Sequence, residues 1–248
     1  ALIEGMLIAA RAIDSRLGYV YIRGEYVQPW RIFSAALEEA YDAGLLGPSV
    51  PGGGFDIVVH RGAGAYICGE ETGLISSLEG KKGWPKVKPP FPAVKGAFGQ
   101  PTIVNNVETL ACLPHILTRG AEWFAGLGTK TQGGTRLYSM SGHVVRPGVV
   151  EAPVSVTLRQ LIYEHCGGIR GGRALKAVVP GGSSAAILTP DEIDIPMDVD
   201  GPKSKGSMIG SAGVIVMDDT VSIPDALMVV ARFYAHESCG QCTPCRES

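Results

Sequence analysis

Three cysteines at i, i+3 and i+6 constrain the end of this chain more than any other feature of it. Cys239-Gly-Gln-Cys242-Thr-Pro-Cys245 can direct three sulfurs at one centre, and thiolates suit iron–sulfur clusters and zinc. Half of the six cysteines fall within the last ten residues. Nothing else in the sequence points to secretion, so a reducing compartment with a metal or redox cluster fits better than disulfides. His236 stands three residues before Cys239 and would complete a Cys3His set, so zinc competes with iron. A cubane cluster needs a fourth ligand, and that ligand is expected from outside this sequence. Cys68, Cys112 and Cys166 are scattered on apolar stretches and are expected in the core.

The remainder is a folded globular chain. Its 248 residues are 45% hydrophobic and 19% charged, enough for one large domain or two smaller ones. A net charge of −2 without a basic stripe makes nucleic acid a poor partner. No apolar run reaches the roughly 18 residues that a membrane helix needs. The opening stretch carries Glu4 and Arg11 without a basic leader region, so it does not read as a secretory signal. The 34 glycines and 17 prolines make up about a fifth of the chain, against an average of roughly 12%. Such a content implies many tight turns and close backbone approaches, as ligand-cradling loops need.

The first half reads as α/β. Residues 1–13 are apolar enough for a buried helix, and Gly18–Ile22 reads as a strand. Pro29 opens a helix whose Phe33, Ala36, Leu37, Ala40 and Tyr41 recur at helical spacing, with Gly44 as its stop. After the Pro-Gly stretch PSVPGGG, residues 55–60 form a short buried strand, and strand–helix–strand order favours a parallel sheet. A glycine-bearing loop leads into a helix over 70–78. Residues 79–101 carry five Pro and four Gly, which precludes regular structure through most of them. Asn105 or Asn106 caps a helix that Pro114 kinks or ends. From Thr135 onward come two β-rich runs, a short helix capped by Thr157 and closed by Gly167-Gly168, and two more strands, the makings of a small α+β domain. Ser222 starts a last helix with Ala226, Leu227, Val230, Phe233 and Tyr234 on one face.

Three further constellations carry chemistry. Arg61-Gly-Ala-Gly-Ala-Tyr66-Ile-Cys-Gly69-Glu70-Glu71-Thr72 follows a strand and precedes a helix. In open sheets ligands bind at the carboxyl ends of strands. Gly62, Gly64 and Gly69 would let a flat cofactor approach the backbone, and Tyr66 has a ring to pack against it. The competing reading is an ordinary glycine-rich turn, with Glu70 and Glu71 complementing the helix dipole. Val104-Asn105-Asn106-Val107-Glu108-Thr109 sets two amides side by side, suited to a heterocycle or a ribityl chain, or simply to an N-cap. Lys88 and Phe91 stand in a proline-stiffened loop, where a cation beside an aromatic face suits a nucleotide. A solvated basic loop is the alternative.

Together these strings resemble the flavoprotein, NADH-binding subunit of respiratory NADH:quinone oxidoreductase, complex I. The carriers are GAGAYICGEET, VKPPFPA, PTIVNNVETL, SGHV, PGGSS and HESCGQCTPCRE, in the family's order over nearly the whole chain. The resemblance implies an α/β architecture in three parts. These are part of an FMN- and NADH-binding α/β domain (1–133), a β-grasp-like α+β domain (134–219) and the start of a helical [4Fe–4S] domain (220–248). It places Tyr66, Gly69, Glu70, Glu71, Val104, Asn105, Asn106 and Thr109 at FMN, with Gly62 and Gly64 in the same cradle. Lys88 and Phe91 fall at the adenosine end of NADH, with Glu71 near the dinucleotide. Cys239, Cys242 and Cys245 become three of four cluster ligands. The family's upstream glycine-rich loop and fourth cluster cysteine are not in this sequence, so it reads as the middle of a longer protein.

The implied activity is hydride transfer from NADH to FMN, then single-electron transfer to the cluster towards quinone. The implied partners are the other subunits of such a complex, notably a small [2Fe–2S] subunit. The implied location is peripheral, on the cytoplasmic side of a bacterial inner membrane or the mitochondrial matrix side. Two alternatives stay open: a diaphorase subunit of an NAD-linked hydrogenase or formate dehydrogenase, and a zinc-stabilised binding module using His236.

Overall fold

A computed structural model describes residues 1–48, 50 and 54–247. They divide into two compact units, one formed by Ala1–His115 with Phe233–Ser248 and the other by Ile116–Arg232.

In the first unit, helix α1 (Leu2–Ile13) presents Leu2, Ile3, Met6, Leu7 and Ala10 to the core. It ends where Asp14 turns left-handed and the Ser15 N–H reaches back to the Ala10 carbonyl at 2.9 Å. Strands β1 (Leu17–Ile22) and β2 (Asp56–Arg61) pair in parallel from Leu17↔Asp56 to Ile22↔Arg61. Helix α2 (Val27–Asp42) is the crossover between them. It opens two residues earlier than the sequence implied. Pro29 is then the third helical residue, where the backbone N–H has no intrahelical partner to lose. Gly44 stops the helix as expected: its N–H bonds the Tyr41 carbonyl at 2.9 Å and the Leu45 N–H bonds Ala40 at 2.9 Å, the paired bonds of a Schellman closure. Val20, Leu37, Ala40, Leu46, Phe55 and Ile57 complete the core against α1. The stretch PSVPGGG lies mostly outside the described residues.

Helix α3 (Glu71–Leu78) follows β2 through a glycine-rich loop. Residues 79–101 hold neither strand nor α-helix, only a 3-10 turn at Ala97–Gly99. Helix α4 (Val107–Arg119) continues past Pro114 instead of ending there. Proline has no N–H to offer the Leu110 carbonyl, and Gly5 of α1 packs directly on that oxygen. A methyl on Gly5 would lie 1.9 Å from it.

The second unit takes in the end of α4 from Ile116 and then α5 (Ala121–Gly126). Strands β3 (Thr135–Gly142), β4 (Gly148–Pro153), β5 (Leu175–Val179) and β6 (Gly213–Asp218) form one mixed sheet in the order β4-β3-β6-β5. The central pair β3–β6 is parallel and both flanking pairs are antiparallel. Between β4 and β5 runs α6 (Leu158–Gln160), continued by a π-helical turn to His165. Thr157 and Gln160 start it as a reciprocal capping box. This is the β-grasp-like arrangement. Leu158, Leu161 and Ile162 are fully buried against Tyr138, Val178 and Val214 of the sheet. Cys166 joins that core, where burial pushes its thiol pKa up.

A short α7 (Asp200–Ser204) precedes β6, and α8 (Ile223–Glu237) leads to the cysteine run and α9 (Thr243–Glu247). The Ser222 hydroxyl accepts the Asp225 N–H at the start of α8. The face expected on α8 shifts: Ala226, Val230, Tyr234 and Glu237 are half-buried, whereas Leu227 is 63% exposed. The i, i+4 stripe wins over the wider one. No helix among the described residues is long and apolar enough to cross a membrane.

Candidate functional site

The loop from Arg61 to Glu70 leaves the carboxyl end of β2. Its first half is pinned to the end of β1. The Gly62 N–H donates to the Ile22 carbonyl at 2.7 Å, and the Arg61 guanidinium donates to the Gly24 carbonyl at 2.8 Å. Gly62 faces the Tyr21 ring, where a methyl would come within 2.6 Å of the phenol oxygen. Gly64 adopts φ +101°, so both have internal reasons to be glycine. Gly69 has none: its φ is not left-handed and a methyl there would meet no atom within 4 Å. It is open to solvent at the last step before α3.

Glu70 is the N-cap of α3. Its Oε2 accepts from the Thr72 N–H (2.9 Å), the Gly73 N–H (2.8 Å) and the Thr72 hydroxyl. Lys88 ion-pairs with Glu71 and lies 3.3 Å from the other Glu70 oxygen. Burial pulls the Glu70 carboxyl upward, but bonds from Thr72, Gly73 and Lys88 outweigh it and hold it below 4.5, its ordinary value. The pairing with Glu71 raises Lys88.

A group with a lowered folded pKa stabilises fully above its unfolded value and loses that contribution as pH falls through the folded one. Acidification is therefore expected to loosen the start of α3. Glu70→Gln should remove this pH dependence and cost about 1 kcal/mol near neutrality. Amide exchange at Thr72 and Gly73 measured against pH checks it. Equal pH profiles for wild type and variant would dismiss the cap's role.

Val104, Asn105, Asn106 and Thr109 all lie exposed at the start of α4. Asn106 is the residue that caps: its Oδ1 accepts the Glu108 N–H at 2.8 Å. The Asn105 amide makes no hydrogen bond among the described residues. Phe91 is 57% exposed and offers a free aromatic face. A cleft of about 610 Å³ opens beside α3, lined by Thr72, Ile75, Glu79, Lys86, Val87 and Phe98 among others. None of the residues assigned above to flavin or nucleotide lines it. Phe98 sits there with φ +52°, held by its N–H bond to Glu79 at 2.9 Å.

The cysteine run returns to this same unit. Tyr66 packs edge-on against Phe233 (5.1 Å between centroids), and its N–H donates to Glu237 Oε2 at 3.1 Å. The Trp84 indole N–H donates to the Cys239 carbonyl at 2.8 Å. These contacts join residues more than 150 positions apart, and nothing in the local sequence announces them. Cys239 is half-buried, and Cys242 and Cys245 are exposed. Among the described residues no three His, Cys, Asp or Glu side chains converge as a metal site, His236 included.

The comparisons with known proteins agree in order along the chain. The Nuo51 FMN-binding domain matches residues 1–115, the SLBB domain residues 136–216, and the NADH-ubiquinone oxidoreductase-F iron–sulfur binding region residues 225–248. Region by region, the chain therefore resembles NADH-quinone oxidoreductase F subunits. It is 51% identical to the second of the NADH-quinone oxidoreductase F subunits of Rhizobium meliloti (strain 1021), with 99% of this chain and 59% of that protein aligned. It is 52% identical to the corresponding F subunit of Rhodobacter capsulatus, over 99% of this chain and 58% of that protein. The chain thus spans less than two thirds of the curated relatives it matches. Among solved structures, an NAD+-reducing [NiFe]-hydrogenase in the H2-reduced state superposes with a TM-score of 0.86 at 39% identity, over 99% of this chain and 40% of that one.

The residues present fit the implied groups. Gly69 leaves open a space that no internal contact requires, and the Asn105 amide has its hydrogen-bonding capacity unspent among the described residues. Three free thiols within seven residues form a donor set suited to an iron–sulfur cluster.

Proposed function

We propose that this protein is the NADH-oxidising flavoprotein component of a quinone-reducing complex, carrying FMN and a [4Fe–4S] cluster. The observation that carries the reading is the succession of flavin-binding, SLBB and iron–sulfur regions in one chain that is about half identical to F subunits. Its division runs 1–133, 134–219 and 220–248.

The chemistry supplied by bound FMN is acceptance of a hydride and release of single electrons. The chain's own residues position and tune. Gly62, Gly64 and Gly69 keep the loop low enough for a flat ring, and Tyr66 borders it. The Asn105 amide has donors and an acceptor to spend on the flavin, beside Val104, Asn106 and Thr109. Glu70 is occupied as a cap, so its part is to fix the start of α3. Glu71, held by Lys88, sets a negative charge near the nicotinamide, which favours the positive oxidised ring. Lys88 and Phe91 hold the adenosine end. Cys239, Cys242 and Cys245 hold the cluster with a fourth ligand from outside this sequence. No general base is required.

The partners are the other subunits of the complex, including a small [2Fe–2S] subunit. The location is peripheral, on the cytoplasmic face of a bacterial inner membrane or the mitochondrial matrix face. A second reading, the diaphorase subunit of an NAD-reducing hydrogenase, is favoured by the likeness to that hydrogenase. Activity with quinone in the assembled complex separates them.

The reading is tested at Phe91. Phe91→Ala should raise KM for NADH by the equivalent of about 1–3 kcal/mol, the loss of a stacking face. The turnover number should hold, because that contact persists in the transition state. Steady-state NADH oxidation with ferricyanide measures both, and a fall in turnover at constant KM contradicts the assignment.

A further inference from the structure

We infer that Trp84 is a positioning residue for the iron–sulfur site: its indole N–H holds the Cys239 carbonyl and so fixes the first of the three cysteines against the proline-rich loop of residues 79–101. The inference rests on the cluster reading above. Trp84 Nε1 lies 2.8 Å from the Cys239 oxygen across 155 residues of chain. The ring is itself held, with Lys82 Nζ 4.1 Å from its centroid. Gly83, just before it, is packed on Cys68, where a methyl would come within 2.7 Å of the sulfur. The anchor is therefore rigid at its base. A second bond runs alongside, from the Gln241 amide to the Pro85 carbonyl at 3.5 Å.

On the cysteine side the other restraints are local to the segment itself: the Ser238 hydroxyl lies 2.7 Å from the Cys245 sulfur, and the Arg246 N–H donates to the Cys242 carbonyl at 3.1 Å. Gly240 is left-handed at φ +68° with nothing within 4 Å of a methyl, and its N–H reaches only the Ser238 hydroxyl at 3.3 Å. Cys242 and Cys245 are exposed. Bonds confined to the segment fix its own shape but not its place against the rest of the unit, which the ties from Trp84 and Gln241 supply. A metal's neighbours set ligand orientation in this way as much as the ligands do. The indole does this by donating to a carbonyl, and it leaves the Cys239 sulfur free to ligate.

The test compares Trp84→Phe, which keeps an aromatic ring beside Lys82 but has no N–H, with Trp84→Arg, which restores donors of similar reach. Two readouts are taken on the full protein. The first is hydrogen–deuterium exchange of residues 237–242 after chelator has removed all metal. Exchange should rise several-fold in Trp84→Phe and return towards wild type in Trp84→Arg. The second is iron retention and the electron paramagnetic resonance signal of the reduced cluster during exposure to air. Trp84→Phe should lose both several-fold faster, with NADH–ferricyanide activity unchanged. Unchanged exchange in Trp84→Phe overturns the inference. So does equal loss in both variants, which would make ring packing the cause. Faster exchange with unaltered iron retention also overturns it. If the wild type holds zinc or no metal, the cluster reading fails, and with it the positioning role, while the exchange comparison still reports on the bond itself.

Discussion

Gly69→Val is expected to weaken FMN binding on the order of 10- to 100-fold while leaving the melting temperature of the protein unchanged. The dissociation follows from two different demands on glycine in one loop. At Gly62 a side chain would strike the Tyr21 ring, and at Gly64 the backbone is left-handed, so substitution at either position strains the fold itself. At Gly69 neither demand exists. A valine there enters open space, and its cost appears only when a ligand tries to occupy the same volume. Forcing extra methyl groups against a packed partner costs about 1–3 kcal/mol, which sets the expected factor. Flavin fluorescence titration and a thermal melt on the same sample measure the two halves. A variant that binds FMN as wild type does places the flavin elsewhere. A variant that melts early shows that Gly69 has a folding role the geometry does not reveal.

The first unit was legible because its signals are local. Apolar residues at helical spacing mark α1 and α2, and the Gly44 closure follows from one residue's tolerance of a left-handed backbone. The β-grasp-like sheet was legible for the same reason, with short β-rich runs on either side of a capping box at Thr157. Errors arise where tertiary contact decides. Period alone puts Leu227 on the buried face of α8, yet the helix buries a narrower stripe. Pro114 reads as a kink or an end, and it is the end that fails: α4 continues past it to Arg119. In the site, the order of glycines, amides and cysteines is visible as motif. The division of labour is not. That Asn106 caps while Asn105 does not, and that Glu70 caps while Glu71 pairs with Lys88, depends on which atom reaches which in three dimensions. The ties from Trp84 and Tyr66 to the cysteine segment span too much chain for any pattern to carry.

Gly5→Ala gives the most direct check on the packing in the first unit, because intrinsic preference and packing predict opposite signs. Alanine is favoured over glycine inside a helix by about 1 kcal/mol, so propensity alone makes the substitution stabilising. Packing says otherwise. The added methyl would lie 1.9 Å from the Leu110 carbonyl oxygen and 2.7 Å from its carbon. Those are backbone atoms, which cannot rotate away as a side chain would. The carbonyl stands there because Pro114, four residues on, has no N–H with which to draw it into the helix. Relief requires α1 and α4 to separate, and that opens the core where Met6 and Ala10 meet Val20, Leu37 and Phe55. Overpacking of this kind costs about 1–3 kcal/mol and occasionally more. With backbone as the obstacle the upper end is expected, a fall in melting temperature on the order of 10 °C. Pro114→Ala in the same background should recover part of the loss, since the new N–H gives the Leu110 carbonyl a partner inside α4. Thermal melts of the two single variants and the double variant, read as a double-mutant cycle, measure that coupling. A Gly5→Ala protein as stable as wild type, or more so, would mean that α1 and α4 do not meet as closely as described.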